Sequence, residues 1–501
     1  MFQKKKKKYA HIIKLYMKDI KTLGELKKSG YKSQNIKDEL RTNLRNKIKA
    51  GETTFEGVHG FENTVIPELE RAILSRHNIN LLGLRGQAKT RLARKMIELL
   101  DEYIPVVEGS EINDDPLNPI SRFAKDLIEE KGDKTPITWL HRSERFFEKL
   151  ATPDVTVADL IGDVDPIKAA NLKLNYADER VIHFGMIPRA NRCIFVINEL
   201  PDLQARIQVA LFNILQEGDI QIRGFKLRMP LDLQFIFTAN PEDYTNRGSI
   251  VTPLKDRIGS QILTHYPENI AIARTITTQE SKLDEDQSET VYVPSLAKDL
   301  LEQIGFEARD SEYIDSKSGV SARMSITAYE NLISTAERRA LLAGEDKTSV
   351  RLSDFIGIIP AITGKVELVY EGEQEGAATV AQYLIGDAIH TLFPAYFPNI
   401  EKLEKENDKN AYTDLLEWFF NESGFELLDD ESNAEYQKIL DEVKPLDVLV
   451  KKYQPEIAKE DVYFMKEFIL WALVEYKKLT KNRVNSGYEY KDLYSNFISK
   501  L

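Results

Sequence analysis

The chain has 501 residues, of which 42% are hydrophobic and 30% are charged, and its formal net charge is −12. This length predicts more than one domain, and the composition is that of an ordinary soluble protein. The single cysteine excludes a disulfide framework. The longest apolar run, Phe468 to Val474, is far shorter than the roughly 18 residues of a membrane span. We expect a cytoplasmic protein with no membrane span.

Residues 1–50 are predicted to form a basic helical segment. They hold 16 Lys or Arg against 4 Asp or Glu, a charge of +12, so the other residues together carry −24. A lysine run from Lys4 to Lys8 opens the segment, and the stretch that follows it is too short and too charged for a signal peptide. Such a segment can contact nucleic acid, a membrane surface or an acidic partner, or can simply be a solvated helix packed on the body, which the pattern favours.

A glycine-bearing turn stands between an apolar run and a helical stretch at residues 81–100. Its residues are Leu81-Leu82-Gly83-Leu84-Arg85-Gly86-Gln87-Ala88-Lys89-Thr90. This pattern is typical of a loop that holds phosphates: backbone N–H groups and the helix start face the phosphates, Lys89 adds a charge, and the Thr90 hydroxyl reaches magnesium. Ala88 is unusual, because the common pattern has glycine directly before the lysine.

Residues 51–265 alternate short β-rich runs with helical stretches, which predicts a parallel sheet covered by helices on both faces. The predicted strands are Ile79–Leu84, Ile104–Glu108, Arg192–Ile197 and Leu233–Ala239. The 109 residues from Lys89 to Asn198 exceed the roughly 30–50 that one βα unit and a strand need, so an insertion is predicted after the second strand. Alternating residues around Arg223-Gly224 predict a hairpin from Asp219 to Met229.

Two predicted strands end in polar residues suited to nucleotide hydrolysis. The strand Cys193–Ile197 leads into Asn198-Glu199, where P-loop hydrolases carry two acids, one for magnesium and one that polarises the attacking water. Asn198 can still accept a hydrogen bond from magnesium-bound water, but it brings no charge. Glu199 keeps the role of base. Asn240, at the end of the strand Leu233–Ala239, can position the water.

The order of these motifs resembles the AAA+ ATPases that carry an insert in helix two, in particular the magnesium-chelatase ATPase subunit and the MoxR-type ATPases. The resemblance covers about residues 55–345. The segments that carry it are Phe184 to Arg192, Thr238 to Tyr244 and Thr252 to Gly259. It implies an α/β fold: a P-loop NTPase (AAA+) αβα core with a parallel sheet and a helical lid domain, extended here by helical N- and C-terminal parts.

The resemblance also implies roles for single residues. The nucleotide-binding set is Gly83, Gly86, Gln87, Ala88, Lys89, Thr90 and Arg91, and the magnesium set is Thr90 and Asn198. Glu199 matches the Walker B glutamate, the catalytic base, and Asn240 matches sensor one. Arg257 matches the arginine finger that reaches the neighbouring subunit, and Arg323 matches sensor two; Arg247 competes for such a role. The implied cofactors are ATP and Mg²⁺.

Two departures shift the expected function. Alanine at position 88 is the MoxR-type form, which favours remodelling over pigment synthesis, and Asn198 predicts weaker magnesium binding and slow hydrolysis. The Asp-x-Ser-x-Ser pattern of a von Willebrand A domain is absent, and Asp315-Ser316-Lys317-Ser318 only approaches it. The partner with such a domain is therefore expected to be a separate chain.

Other signals are predicted to be structural. Cys193 lies inside an apolar strand and is expected to be an inert core residue. Phe464, Phe468 and Trp471 follow helical spacing and predict a buried face. The seven histidines include no pair at metal-ligand spacing, so no structural metal site is predicted.

We predict four parts: residues 1–50, the nucleotide-binding core 51–265, a helical lid 266–370 and an acidic helical domain 371–501. The expected function is an ATP-hydrolysing motor in a homo-oligomeric ring, expected to be a hexamer, that drives metal insertion or remodels a partner protein. One alternative is a nucleotide-sensing scaffold with little hydrolysis, which Asn198 favours. Another is a nucleic-acid-directed motor, although nucleic acid is the less expected partner.

Overall fold

The computed structural model describes residues 19–174, 178–220, 229–241, 249–401, 411–421, 425–428, 431–484 and 487–492. The chain separates into two compact units, one up to His265 and one from Tyr266 onward. Among the described residues, no helix combines the length and the apolar character needed to cross a membrane.

Strands and helices alternate through the first unit. The strands are β1 (Ile79–Leu82), β2 (Tyr103–Val107), β3 (Ile137–His141), β4 (Phe146–Leu150), β5 (Gly162–Val164), β6 (Ile182–Phe184), β7 (Cys193–Asn198), β8 (Asp219–Ile220), β9 (Met229–Pro230), β10 (Leu233–Ala239) and β11 (Ser260–Leu263). The α-helices are Leu23–Lys28, Ile36–Ala50, Val65–Leu74, Lys89–Lys95, Arg122–Lys131, Val157–Leu160, Pro166–Leu172, Met186–Arg189, Ala205–Glu217 and Thr252–Arg257. Short 3₁₀ helices cover Met96–Leu99, Gly132–Lys134, Arg142–Glu144, Glu179–Val181 and Leu200–Asp202.

A parallel sheet with strand order β11-β1-β10-β7-β4 lies at the centre of this unit. Its inner strands β7 and β10 are apolar along almost their whole length, with β-branched and aromatic side chains buried on both faces, as parallel strands between two helical layers require. One face packs on Ile36–Ala50, Val65–Leu74 and Lys89–Lys95. The other face packs on Ala205–Glu217 and Thr252–Arg257. The predicted αβα core with a parallel sheet is confirmed.

The prediction for the second strand of this sheet is wrong. Ile104–Glu108 forms a strand, β2, but β2 pairs antiparallel with β3 outside the parallel sheet. The place beside β7 belongs to β4, a strand that was not predicted from the sequence. The reason is that β4 is a partly exposed edge strand and carries Glu148 and Lys149 among its apolar residues, so it lacks the continuous apolar run of an inner strand.

The long spacing between the loop and β7 contains two excursions from the sheet. The first is the β2–β3 pair with the helix Arg122–Lys131, which comes before β4. The second lies between β4 and β7 and contains the antiparallel pair β5–β6 with three short α-helices. The ends of the hairpin predicted from Asp219 to Met229 also pair, as β8 and β9. Its central residues 221–228 lie outside the described residues.

The second unit is mainly helical. Its α-helices are Ile270–Glu280, Glu285–Thr290, Ser295–Asp310, Arg323–Ala343, Ile359–Thr363, Tyr370–Glu375, Ala377–Tyr396, Thr413–Asn421, Asn433–Glu442, Lys444–Tyr453 and Val462–Glu475, with 3₁₀ helices at Ser353–Ile358 and Lys459–Asp461. Its strands are β12 (Val291–Tyr292), β13 (Thr348–Ser349), β14 (Phe425–Leu428), β15 (Leu479–Val484) and β16 (Gly487–Asp492). The last three form an antiparallel sheet, an addition to the predicted helical C-terminal part.

One hydrophobic core runs through the second unit, from Val291 to Tyr490. The aromatic residues Phe464, Phe468 and Trp471 are buried in it, as predicted. The helix that carries them, Val462–Glu475, is buried on nearly all sides. This explains why its aromatic side chains serve packing rather than chemistry.

Candidate active site

The glycine-bearing loop connects β1 to the helix Lys89–Lys95 and is pinned to the sheet by its glutamine. Gln87 Oε1 accepts hydrogen bonds from the Leu84 N–H (2.9 Å) and from the Thr264 hydroxyl (2.9 Å). A Cβ atom on Gly83 would overlap both Thr264 Oγ1 and Gln87 Oε1. Glycine at position 83 therefore allows the loop to lie against the end of β11.

Left-handed backbone shapes the turn before the lysine. Gly86 has a φ of 77° and Ala88 a φ of 53°. This conformation costs an L-residue with a Cβ roughly 1–2 kcal/mol, which explains why glycine is common in front of the lysine. Ala88 nevertheless adopts the conformation that glycine would, so the loop keeps its path despite the substitution.

Lys89 is buried, and its ammonium group points back into the loop. It donates hydrogen bonds to the carbonyl oxygens of Gly83 and Leu84 and to Asn240 Oδ1, the last at 2.7 Å. Asn240 directly follows β10, and β10 is the neighbour of β1 in the sheet. The structure thus brings together the predicted phosphate-binding lysine and the predicted sensor-one residue, at the carboxyl edge where parallel sheets bind ligands.

The ends of β7 and β10 are joined by a threonine. Thr238 Oγ1 accepts a hydrogen bond from the Glu199 N–H (3.1 Å) and donates one to Asn198 Oδ1 (3.1 Å). Glu199 has a φ of 54°, a left-handed conformation that is uncommon for a residue with a side chain. Such local strain is frequent at functional sites. Asn198 and Glu199 therefore lie at the same sheet edge as Asn240.

The remaining loop residues begin the helix. Thr90 and Arg91 are its second and third residues, and both are partly exposed. Leu92 and Ala93 of this helix pack in the same core as Val196 of β7. Because side chains alternate along a strand, Asn198 lies on the same face of β7 as Val196. The two predicted magnesium ligands, Thr90 and Asn198, are thus on the same side of the sheet.

The contacts of Arg257 lie outside this cluster. Arg257 ends the helix Thr252–Arg257; its guanidinium donates to Gln216 Oε1 (2.8 and 3.0 Å) and to the Pro253 carbonyl (2.7 Å), and it lies over the Phe212 ring. Arg323 is the exposed first residue of the helix Arg323–Ala343, in the second unit. Arg247 lies outside the described residues.

Three polar residues of this region were not identified from sequence. Thr238 and Thr264 form the hydrogen bonds described above, and Glu148 of β4 accepts one from Asn198. Their contacts run between neighbouring strands or between a strand and the loop, so strand order and register are needed to find them. The run Phe146-Phe147-Glu148-Lys149-Leu150 does not alternate between apolar and polar residues, so its sequence carries no strand signal that would have revealed β4.

The chemistry of these groups fits magnesium and a nucleoside triphosphate. Lys89 offers an ammonium group, Thr90 a hydroxyl, Asn198 and Asn240 amide oxygens and Glu199 a carboxylate, which are the donors that phosphate and Mg²⁺ prefer. Among the described residues, no group of three His, Cys, Asp or Glu could hold a metal ion by itself. Cys193 is buried, and burial raises the pKa of its thiol to about 12, which makes it an inert core residue.

Comparison with known proteins finds a relative with a similar sequence. No family model matches the chain. Over 214 residues, the chain is 25% identical to the magnesium-chelatase 38 kDa subunit of Cereibacter sphaeroides, a match that spans 41% of this chain and 56% of the relative. The chain therefore covers little more than half the length of this relative.

Solved structures give weaker similarity. The complex between the subunits BchI and BchD of magnesium chelatase matches at 18% identity with a TM-score of 0.33, covering 64% of this chain and 98% of that one. NtrX from Brucella abortus matches at 15% identity with a TM-score of 0.37, covering 74% and 71%. With TM-scores this low, these structures carry no argument about the site. Together with the sheet and the loop, the sequence relative supports the resemblance to AAA+ ATPases of the magnesium-chelatase type.

Proposed function

We propose that this chain is an ATP-binding and ATP-hydrolysing motor subunit of the magnesium-chelatase-like AAA+ class. The observation that carries the proposal is the meeting of Lys89, Asn240, Asn198 and Glu199 at the carboxyl ends of β1, β10 and β7. The similarity to a magnesium-chelatase subunit supports it.

Each residue has a role in this proposal. Lys89 exchanges its carbonyl and amide partners for phosphate oxygens, which are stronger acceptors for an ammonium group because they are charged. Thr90 and Asn198 would hold Mg²⁺, which would supply charge stabilisation to the phosphates. Glu199 accepts a proton from the attacking water, and Asn240 helps to orient that water.

We further propose that the active site is shared between subunits of a homo-oligomeric ring, with a hexamer as the expected size. Arg257 then serves the neighbouring subunit as a finger that stabilises transition-state charge, and Arg323 contacts the nucleotide of its own subunit. A separate chain with a von Willebrand A domain is the proposed partner. The client is either a tetrapyrrole that receives a metal or a protein that is remodelled by the ring, and Ala88 favours remodelling.

Two variants test the nucleotide site. Lys89→Ala should weaken ATP binding by about ten- to a hundredfold, since it removes charged hydrogen bonds, whereas Lys95→Ala on the same helix should leave it unchanged. Glu199→Gln should preserve binding and reduce turnover by a factor on the order of 10²–10⁴. Binding is measured by titration with a fluorescent ATP analogue and turnover by phosphate release. Full affinity in Lys89→Ala would refute the loop assignment.

A nucleotide-sensing scaffold with little hydrolysis is the second candidate. It is favoured by Asn198, an amide where P-loop hydrolases carry an acid. The same assay separates the two functions. Wild type and Glu199→Gln that both bind ATP and are equally inactive would establish the scaffold and exclude the motor.

A further inference from the structure

Asn198 is held in one orientation by hydrogen bonds on both sides of its amide. Its Nδ2 donates to Glu148 Oε1 at 2.6 Å, and its Oδ1 accepts from the Thr238 hydroxyl at 3.1 Å. Because Thr238 Oγ1 accepts from the Glu199 N–H, its own hydrogen is available for Asn198. The reverse amide orientation would place two acceptors, Oδ1 and the Glu148 carboxylate, against each other. The contacts therefore fix which end of the amide is the oxygen.

Glu148 comes from β4, the strand next to β7, and its second oxygen contacts the helix after the loop. Arg94 donates to Glu148 Oε2 through its terminal nitrogen (2.6 Å) and Nε (3.2 Å). Arg94 lies four residues after Thr90 and so on the same face of that helix. One row of contacts thus connects the Thr90 face of the helix with Glu148, Asn198, Thr238 and the backbone of Glu199.

In this row of contacts, the Glu148 carboxylate lies beside Asn198, the position at which P-loop hydrolases carry an acid. The Arg94–Glu148 pair alone has the character of a surface ion pair, since the Arg94 side chain is 63% exposed, and such pairs contribute little. The bond from Asn198 to Glu148 is different, because the Glu148 side chain is only 24% exposed and the bond is short and charge-assisted. It brings a negative charge within one hydrogen bond of Asn198.

We propose that Glu148 and Asn198 together replace the single magnesium-binding carboxylate of the site. Glu148 is a positioning residue that supplies the negative charge and orients the amide, and Asn198 supplies the oxygen. This inference rests on the proposed nucleotide function. It explains how an asparagine can stand at the end of β7 without leaving the site short of charge.

The pair also makes position 198 unsuited to aspartate. In Asn198→Asp, two carboxylates would lie in hydrogen-bond contact, where their like charges repel each other and no hydrogen bond joins them. In the exchange variant Glu148→Gln/Asn198→Asp, the glutamine amide donates to the aspartate, so one carboxylate and one amide remain in contact. The order of the two groups is reversed, but the charge of the pair is unchanged.

The test compares wild type, Glu148→Gln, Asn198→Asp and the exchange variant. The readouts are the Mg²⁺ concentration that gives half-maximal binding of a fluorescent ATP analogue, binding of the same analogue in EDTA, and the melting temperature of the nucleotide-free protein. Glu148→Gln should raise the Mg²⁺ requirement by about tenfold, the usual cost of losing a partner of a metal ligand, without changing binding in EDTA. Glu144→Gln, an exposed residue just before β4, is the matched control and should behave as wild type.

Asn198→Asp should lower the melting temperature, and the exchange variant should recover both the melting temperature and the Mg²⁺ requirement. A Mg²⁺ requirement that is equal in Glu148→Gln and Glu144→Gln would overturn the inference. The inference would also be overturned if the effects of Glu148→Gln and Asn198→Asp simply added in the exchange variant. This comparison stays valid even if Glu148→Gln alone folds poorly. If wild type and Lys89→Ala were alike in lacking Mg²⁺-dependent nucleotide binding, the proposed function itself would fall, and the inference with it.

Discussion

Asp232 is a carboxylate that the first unit holds in a poorly solvated place. Its Oδ2 accepts the backbone N–H of Ile36 at 2.8 Å, at the start of the helix Ile36–Ala50. Burial raises the pKa of Asp232 to about 6, and the hydrogen bond from Ile36 and the charges of Arg192 and Arg145 only partly oppose this. The folded protein therefore binds this proton more tightly than the unfolded chain does.

The raised pKa predicts a pH-dependent stability. The stabilisation is fully present below about pH 4, where Asp232 is protonated in both states, and it is lost as the pH rises through 6. When the pH is raised from 4 to 7, the unfolding free energy of Asp232→Asn should increase by roughly 2–3 kcal/mol relative to that of wild type. Urea denaturation at both pH values measures this gain.

Asp38 provides a control whose contribution to stability changes with pH in the opposite direction. Hydrogen bonding to Arg76 lowers the pKa of Asp38, so the stability contributed by Asp38 is lost as the pH falls. The difference between Asp38→Asn and wild type should therefore change with pH in the other direction. A difference between Asp232→Asn and wild type that is the same at both pH values would contradict the assignment.

Among single residues of the site, those of the glycine-bearing loop are easier to predict from the sequence than those that surround the loop. Gly83, Lys89 and Asn240 can be identified because each directly follows an apolar strand or precedes a helix, so a local pattern reveals it. Glu148 and Thr264 cannot, because their importance depends on which strands are neighbours. The catalytic and binding roles assigned to Glu199, Arg257 and Arg323 stay predictions, since the structure gives their positions and not their activity.

Among the elements, burial decides what the sequence can predict. The inner strands β1, β7 and β10 are found from their apolar runs, whereas both edge strands, β4 and β11, are missed. An edge strand is covered by fewer neighbours and tolerates polar residues, as in Ser260-Gln261-Ile262-Leu263 of β11. The strand β2 is as apolar as an inner strand, and its sequence does not reveal that it pairs with β3 instead.

The helix Ile36–Ala50 is anchored to the sheet by a buried ion pair. Glu39 accepts two hydrogen bonds from the Arg145 guanidinium, both at 2.7 Å, and the side chains are only 5% and 1% exposed. Arg145 also donates to the Arg192 carbonyl oxygen, and Glu39 accepts the Asp101 N–H. These contacts tie a helix of the basic N-terminal segment to the sheet layer of the first unit.

Removing one partner of this pair should destabilise the first unit strongly. Glu39→Ala leaves the Arg145 charge buried without its carboxylate, and a loss of about 3–5 kcal/mol is expected. The exposed pair Lys27–Asp133, with side chains 53% and 69% exposed, is the matched control, and Asp133→Ala should change the unfolding free energy far less than Glu39→Ala does. Trp139 fluorescence in a Trp418→Phe/Trp471→Phe background reports the unfolding of this unit. Equal losses in Glu39→Ala and Asp133→Ala would show that the buried pair is not an anchor.

For the whole molecule, the described residues form two units with separate hydrophobic cores. The core of the second unit contains residues from both sides of position 370. The sequence predicts a boundary between the lid and the C-terminal domain at that position. The four-part division stays a prediction. Helical periodicity can indicate the aromatic stripe of Val462–Glu475, but it cannot show that residues so far apart in the chain share one core.

The proposed shared site makes a prediction that only the assembled molecule can test. Lys89→Ala impairs the nucleotide site of a subunit, and Arg257→Ala removes the finger that it lends to its neighbour, so each variant alone should have strongly reduced activity at an ATP concentration that Lys89→Ala does not saturate. In an equal mixture, about a quarter of the interfaces combine an intact Lys89 with an intact Arg257 from the adjacent subunit. Phosphate release by the mixture should therefore recover to roughly that fraction of wild type. If Arg257 acted within its own chain, every subunit would carry one defect, and mixing would restore nothing.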